Sequence, residues 1–320
     1  MLETTAKIEC SVVVCTYHPD WEELRLTLKS ILMQEDCNYQ IVVTDDGSED
    51  NLFTSVIEFF SRYNFTNYKL RVNSKNMGTV YNILQGIRVA SGEFVKSISP
   101  GDFLHGKHVL REWVDFMREH QECIMSYSDA IYYRMRDDKI VTTKELAHPQ
   151  CVALHDTISP SQYLICNDIC LGAATMVRRN LWIKYLEMIV GNVVYAEDNS
   201  YRIMMYCGER FAYIPKSFIL YEYGTGVSTS GSDVWGERLR KDWQKTDEIM
   251  LSCQPSYAVK AARIPEFLQI STQRCRFKRW KRWRKYPYRL YFIVRSKVNP
   301  RTTPMNINKK FVYELLLKEE

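Results

Sequence analysis

A chain of 320 residues with 46% apolar and 25% charged residues is long enough to bury a large core and too balanced for global disorder. No stretch approaches the ~20 apolar residues that a membrane span needs, and Met1 to Thr5 hold no basic segment followed by an apolar run, so neither a spanning helix nor a cleaved leader is expected. The net charge of +5 conceals an asymmetry: residues 267–313 carry 14 Lys and Arg and no Asp or Glu, which leaves the remainder at −9.

In chain order, Ile8 to Thr16 reads as a buried strand and Trp21 to Met33 as a helix capped by Asp20. A strand over Tyr39 to Thr44, a helix over Leu52 to Tyr63 and a short strand over Tyr68 to Val72 follow. Thr79 to Ala90 is a helix and Phe94 to Ile98 a strand. This alternation predicts a parallel sheet with helices on its faces. A helix over Lys107 to His120 and a strand over Cys123 to Tyr127 come next. Arg134 to His155 is polar and predicted irregular. Ile169 to Val177 reads as a strand, Leu181 to Val190 and Asp198 to Cys207 as helices, and Phe211 to Ile214 as a short strand. Tyr221 to Ser232 reads as a loop and Val234 to Ser252 as a helix. The natural break falls near Gln254-Pro255 or Pro265, before the basic tail, and the first of these gives a domain over 1–254 and an extension over 255–320. The ten cysteines show no metal-ligand spacing and are expected to be reduced and mostly buried.

Acidic and small polar residues recur where apolar runs end. Cys15-Thr16-Tyr17-His18-Pro19 closes the first strand and Asp45-Asp46-Gly47-Ser48 the second. Asn76-Met77-Gly78 precedes the third helix, Ser99-Pro100-Gly101-Asp102 ends the fourth strand, and Glu197-Asp198 opens a late helix. Open α/β sheets bind ligands at the carboxyl ends of their strands. Asp45 and Asp46 can accept hydrogen bonds from such a ligand there, with Thr16 on the neighbouring strand. As a turn and helix cap the same residues need no ligand. Asp129, ending Tyr127-Ser128-Asp129, is a candidate acceptor contact.

The order and spacing of these motifs resemble family 2 glycosyltransferases of the GT-A fold over Ile8 to about Ser230. The resemblance rests on Thr16-Tyr17, Asp45 to Ser48, Asn76-Met77-Gly78, Ala90-Ser91-Gly92-Glu93-Phe94 and Glu197-Asp198. It implies a Rossmann-like, mostly parallel sheet with helices on both faces and an inverting transfer from a nucleotide-sugar, UDP-linked, to a hydroxyl of a polysaccharide or lipid-linked glycan. It implies that Thr16, Tyr17, Asp45, Asp46, Asn76, Gly78 and Ser99 line the nucleotide site. Asp198 becomes the general base, with Glu197 orienting it or the acceptor. The family's Asp-x-Asp-Asp metal motif is reduced here to Ser99-Pro100-Gly101-Asp102, which leaves Asp102 as the candidate ligand for Mn²⁺ or Mg²⁺. A silent nucleotide-binding assembly subunit of a membrane polysaccharide-synthesis complex is the rival reading.

Residues 274–289 hold nine cations and five aromatics, with Phe277, Trp280 and Trp283 at three-residue spacing. Interfacial aromatics and cations together predict contact with an anionic membrane through residues 274–294, at the cytoplasmic face. A solvated tail or a nucleic-acid surface uses the same residues, but the acidic remainder argues against nucleic acid.

Overall fold

The computed structural model describes residues 7–147, 158–165, 170–224, 233–271, 294 and 307–317. The elements are β1 (Cys10–Thr16), α1 (Trp21–Leu32), β2 (Tyr39–Asp45), α2 (Phe53–Arg62), β3 (Tyr68–Val72), α3 (Thr79–Val89), β4 (Phe94–Ile98), β5 (Phe103–Leu104), α4 (Val109–Glu119), β6 (Cys123–Arg136), β7 (Lys139–Ala147), β8 (Thr175–Arg178), α5 (Arg179–Ile189), α6 (Asn199–Cys207), β9 (Arg210–Glu222), α7 (Asp233–Ser252), α8 (Tyr257–Ala261), α9 (Ile264–Ser271) and α10 (Lys309–Leu316). One nine-stranded sheet runs in the order β3-β2-β1-β4-β8-β6-β9-β5, with β7 paired to β6. The block β3-β2-β1-β4 is parallel throughout. Beyond β4 the sheet is mixed: β8 runs antiparallel to β4 and β6, while β9 lies parallel to β6.

β1 lies between two strands and is covered on both faces, so its sequence is a continuous apolar run. Its side chains divide between two cores by the two-residue strand repeat. Val12 and Val14 join Leu24, Leu28, Phe60 and Trp113 on the face of α1, α2 and α4. Val13 joins Ile83, Trp182, Tyr201 and Met204 on the face of α3, α5 and α6. Asp20 caps α1 as its position predicts, accepting from the N–H groups of Glu22 and Glu23 at 2.8 and 3.1 Å.

Three segments depart from the sequence reading. The strand predicted to end at Tyr127 runs on to Arg136 and hairpins into β7, so residues 134–147 are regular structure. The polar residues there, Ser126, Ser128 and Asp129, are fully buried, and each has at least one hydrogen-bonding partner. β9 is likewise 13 residues long, and the register shifts between Ser128 and Ala130 pass around its Pro215. The run predicted as a strand before Val177 instead holds a short 3₁₀ turn, Gly172–Ala174, and β8 begins only at Thr175.

Beyond Gln254 the described residues continue the same body. Ile264, Phe267 and Leu268 of α9 are buried with Met250 in the main core. Phe311 and Leu315 of α10 pack with Leu26, Phe103, Ile131 and Leu220. Lys29 Nζ donates to the Leu317 carbonyl at 2.8 Å. The Asn308 N–H donates to His105 Nε2 at 2.9 Å, and His105 Nδ1 lies 3.3 Å from the Ser217 carbonyl. One ring nitrogen must accept and the other donate, so the ring is neutral, and burial holds its pKa below the ordinary histidine value. The basic aromatic segment 274–289 lies outside the described residues.

Candidate active site

The strand order places a crevice beyond the carboxyl end of β1, between β2 and β4. Thr16 ends β1 and Asp45 ends β2, paired in register. Asp45 is fully buried. It accepts from the Thr16 hydroxyl at 2.9 Å, the Ser48 N–H at 2.7 Å and the Ser48 hydroxyl at 2.8 Å. Asp46 is 4% exposed. It accepts from Asn73 Nδ2 at 2.7 Å, the Met77 N–H at 2.9 Å and the Gly78 N–H at 2.7 Å. All four carboxylate oxygens thus organise the crevice floor. Asp45 ties two strand ends together, and Asp46 ties the Asn76–Gly78 turn to them. Asn82, nearly buried on α3, completes the stitching with a donation from Nδ2 to the Thr44 carbonyl at 3.0 Å. The surfaces left open to a ligand are the half-exposed Tyr17 ring and the exposed Asn76 and Ser99.

Gly78 has φ +90°, and a Cβ there would stand 2.4 Å from Val194 Cγ1 and 2.7 Å from the Val194 carbonyl oxygen. No other residue combines that backbone with that approach. The Val80 N–H donates to the same carbonyl at 3.1 Å. The segment leading to Glu197 and Asp198 is therefore seated directly on the turn that Asp46 holds.

Glu197 and Asp198 are half-buried at the start of α6. Asp198 occupies the N-cap position, yet its side chain makes no capping hydrogen bond. Burial pushes both carboxyls up. The charge of Asp198 adds to the rise at Glu197, while the Arg202 guanidinium opposes it at Asp198. Each of the two therefore holds a proton more readily than an ordinary carboxyl. The Cys15 thiol is pushed up by burial first, then by the charges of Glu197 and Asp46. Asp46 and Glu197, about 150 residues apart in sequence, therefore both lie near Cys15. A Cβ at Gly172 would lie 2.9 Å from Glu197 Oε1, so the 3₁₀ turn before β8 gives that carboxyl its room.

Asp102 is 6% exposed. Its Oδ1 accepts from the Glu222 N–H at 3.2 Å. Its pKa is raised to about 7, chiefly by burial, against the opposing pull of that N–H and of Lys96. Lys96 is fully buried, donates to the Ser97 carbonyl, and is lowered to about 7 by its own burial. Among the described residues no group of three or more His, Cys, Asp or Glu could hold a metal ion. One buried carboxylate and the Ser99 hydroxyl do not make the oxygen cage that a hard divalent ion requires. These residues alone do not fit one.

Asp129 lies on β6. It is fully buried, accepts from the Tyr213 hydroxyl at 2.8 Å, and its Oδ1 has no partner among the described residues. Arg238 lies over the rings of Tyr195 and Trp235, at 5.3 and 4.8 Å, and Lys241 pairs with Glu237 at 3.1 Å. Asn73, Lys96, Gly172 and Asp242 belong to the site's framework, and no motif marked them. Lys96 alone carried a signal, a charge inside an apolar strand.

Residues 11–168 match the family model described as glycosyl transferase family 2. A poly(ribitol-phosphate) beta-N-acetylglucosaminyltransferase, TarS of Staphylococcus aureus, is 27% identical over 128 residues, 39% of this chain. That alignment spans about a fifth (21%) of the relative's length. The fold is similar to that of S. aureus TarS 1–349 in complex with UDP-GlcNAc, with a TM-score of 0.59 and 17% identity over 90% of this chain and 81% of the other. It is equally similar to the mannosyltransferase PcManGT from Pyrobaculum calidifontis in complex with GDP-Man and Mn2+, with a TM-score of 0.59 and 14% identity over 93% and 77% of the two chains.

Proposed function

Because its residues 11–168 form a glycosyl transferase family 2 domain, the chain is a glycosyltransferase, and we propose that it moves a sugar from a UDP-sugar to a hydroxyl of a cell-surface polysaccharide or lipid-linked glycan with inversion. The observation that carries this reading is the convergence of the Thr16–Asp45–Asp46 floor and the Glu197–Asp198 pair on one crevice. In it the nucleotide lies beyond the strand ends, against Tyr17 and the Asn76–Gly78 turn. Asp45 and Asp46 act from beneath, by holding the strand ends and that turn in place. Asp198 takes the proton of the attacking acceptor hydroxyl as the anomeric carbon changes partners, and Glu197 orients that hydroxyl. UDP-GlcNAc is the first donor to try, since it is bound by the TarS structure of the same fold.

Thermal shift with UDP, GDP, UDP-GlcNAc and GDP-mannose, each with and without Mn²⁺, tests the donor. A ligand at 100 times its dissociation constant adds about 2.7 kcal/mol. Stabilisation by uridine but not guanosine nucleotides is expected. A divalent ion acting here would draw most of its ligands from the diphosphate and from water. The rise with UDP alone is therefore expected to persist without Mn²⁺. No response to any nucleotide would sink the reading. A response without any turnover of donor would favour a silent binding subunit, which the single acid at the Ser99–Asp102 station also fits.

The basic aromatic segment 274–294 is proposed to rest on an anionic membrane, placing the enzyme peripherally at the cytoplasmic face. No helix among the described residues is long and apolar enough to cross a membrane. Flotation with phosphatidylglycerol vesicles is expected to carry the protein, and Ala replacement of the nine cations in 274–289 to abolish it. Equal flotation of both proteins would overturn the membrane assignment.

A further inference from the structure

We infer that Asp242 is a positioning residue for the catalytic pair: from α7 it clamps the three residues that deliver Glu197 and Asp198 to the crevice. Its carboxylate accepts from three consecutive backbone N–H groups, those of Val194 at 3.1 Å, Tyr195 at 2.7 Å and Ala196 at 3.0 Å. Asp242 is 4% exposed, and its own carbonyl accepts from the Thr246 hydroxyl one turn on, at 2.8 Å. A buried carboxylate with three N–H donors is fixed in place, and so are the peptide planes that supply them.

The segment is held from the other side by the nucleotide floor. The Val194 carbonyl takes the Val80 N–H, and Val194 covers Gly78, whose own N–H is bound by Asp46. Two carboxylates, Asp46 and Asp242, thus grip one junction from opposite faces. Ala196, the last clamped residue, immediately precedes Glu197, so an error at the clamp is carried straight to the carboxyls. Displacement of about 1 Å at a reacting group costs on the order of 100-fold.

Asp242 also acts through its charge. The groups facing Asp198 are Glu197 before it, Arg202 and Tyr201 on α6, Tyr163 from the turn Ser161–Ile165, and Asp242 from α7. Arg202 is shared with Asp247 at 3.0 Å. Asp242 is negative and raises the proton affinity of Asp198. Neutralising it lets Asp198 ionise at lower pH.

This inference rests on the assignment of Asp198 as the base. The test is UDP-GlcNAc turnover from pH 5 to 9 in wild type, Asp242→Asn and Asp198→Asn, read as UDP release. Asp242→Asn is expected to lower kcat by about 10–100-fold, to leave the donor KM within about twofold, and to move the acid limb of kcat to lower pH. Loss of packing alone would not move that limb. If Asp242→Asn does not fold, Asp242→Glu keeps the charge on a longer arm. Its kcat is then expected to fall with the acid limb in place. Wild-type kcat in either folded variant, or an unmoved limb in Asp242→Asn, overturns the clamp. Turnover retained by Asp198→Asn instead overturns the base assignment beneath it.

Discussion

Asp198→Asn is expected to reduce turnover of UDP-GlcNAc by about 10²–10⁴-fold, the usual worth of a positioned general base. The amide matches the carboxylate in shape but cannot take a proton. Asp198 makes no N-cap hydrogen bond, so the change costs α6 little beyond a charge that suits the helix N-terminus. Neutralising it also removes a charge that raises the proton affinity of Glu197. Glu197 then ionises at lower pH and supplies what residual rate remains. Binding of UDP is expected to be unchanged, because the nucleotide floor is built from β1, β2 and the Asn76–Gly78 turn. Steady-state kinetics and a UDP thermal shift on the same preparation check both halves. Retained turnover would remove Asp198 from the mechanism. Lost turnover with lost UDP binding would make it a structural residue.

Asp46→Ala is expected to be the costliest single change at the nucleotide floor. It takes one acceptor from each of three donors, Asn73 Nδ2 and the N–H groups of Met77 and Gly78, and leaves Asn82 Oδ1 at 3.4 Å to the first and Asn76 Oδ1 at 3.1 Å to the last. The orphaned Met77 N–H costs about 1–3 kcal/mol and each of the two lost hydrogen bonds about 0.5–1.5 kcal/mol, so the net loss is about 3 kcal/mol. At roughly 2 °C per kcal/mol for a chain of this size, the midpoint falls by about 6 °C. The exposed Glu49 is the control, with an expected change within about 0.5 kcal/mol for Glu49→Ala. Thermal unfolding of both variants decides it. Equal midpoints would mean that the turn stands without Asp46.

The first four strands and three helices were legible because each repeats one period cleanly and ends on residues that cannot continue it. Thr16 and Asp45 were legible as strand ends because apolar runs stop there, and Glu197-Asp198 as the opening of a helix. What they do was less legible. Asp45 and Asp46 direct their oxygens at the protein's own N–H and O–H groups, which only the register of β1 on β2 reveals. Asp242 sits among Arg240, Lys241 and Lys245 on a helix that reads as a solvated face. Its burial depends on a loop 46 residues earlier docking over it. β6 was cut short because Ser128 and Asp129 look like a turn, while Tyr213, whose hydroxyl donates to Asp129, lies 84 residues on.

The docking of α10 on α1 sets the order in which the molecule can be completed during synthesis. The Lys29–Leu317 hydrogen bond joins residues 288 apart. At ~5–20 residues per second, tens of seconds separate the emergence of its two ends from the ribosome. Leu26, Phe103, Ile131 and Leu220 wait uncovered through that interval. A nascent chain stalled before residue 307 therefore presents a sticky apolar seam beside an already assembled crevice, the surface that a holding chaperone would meet.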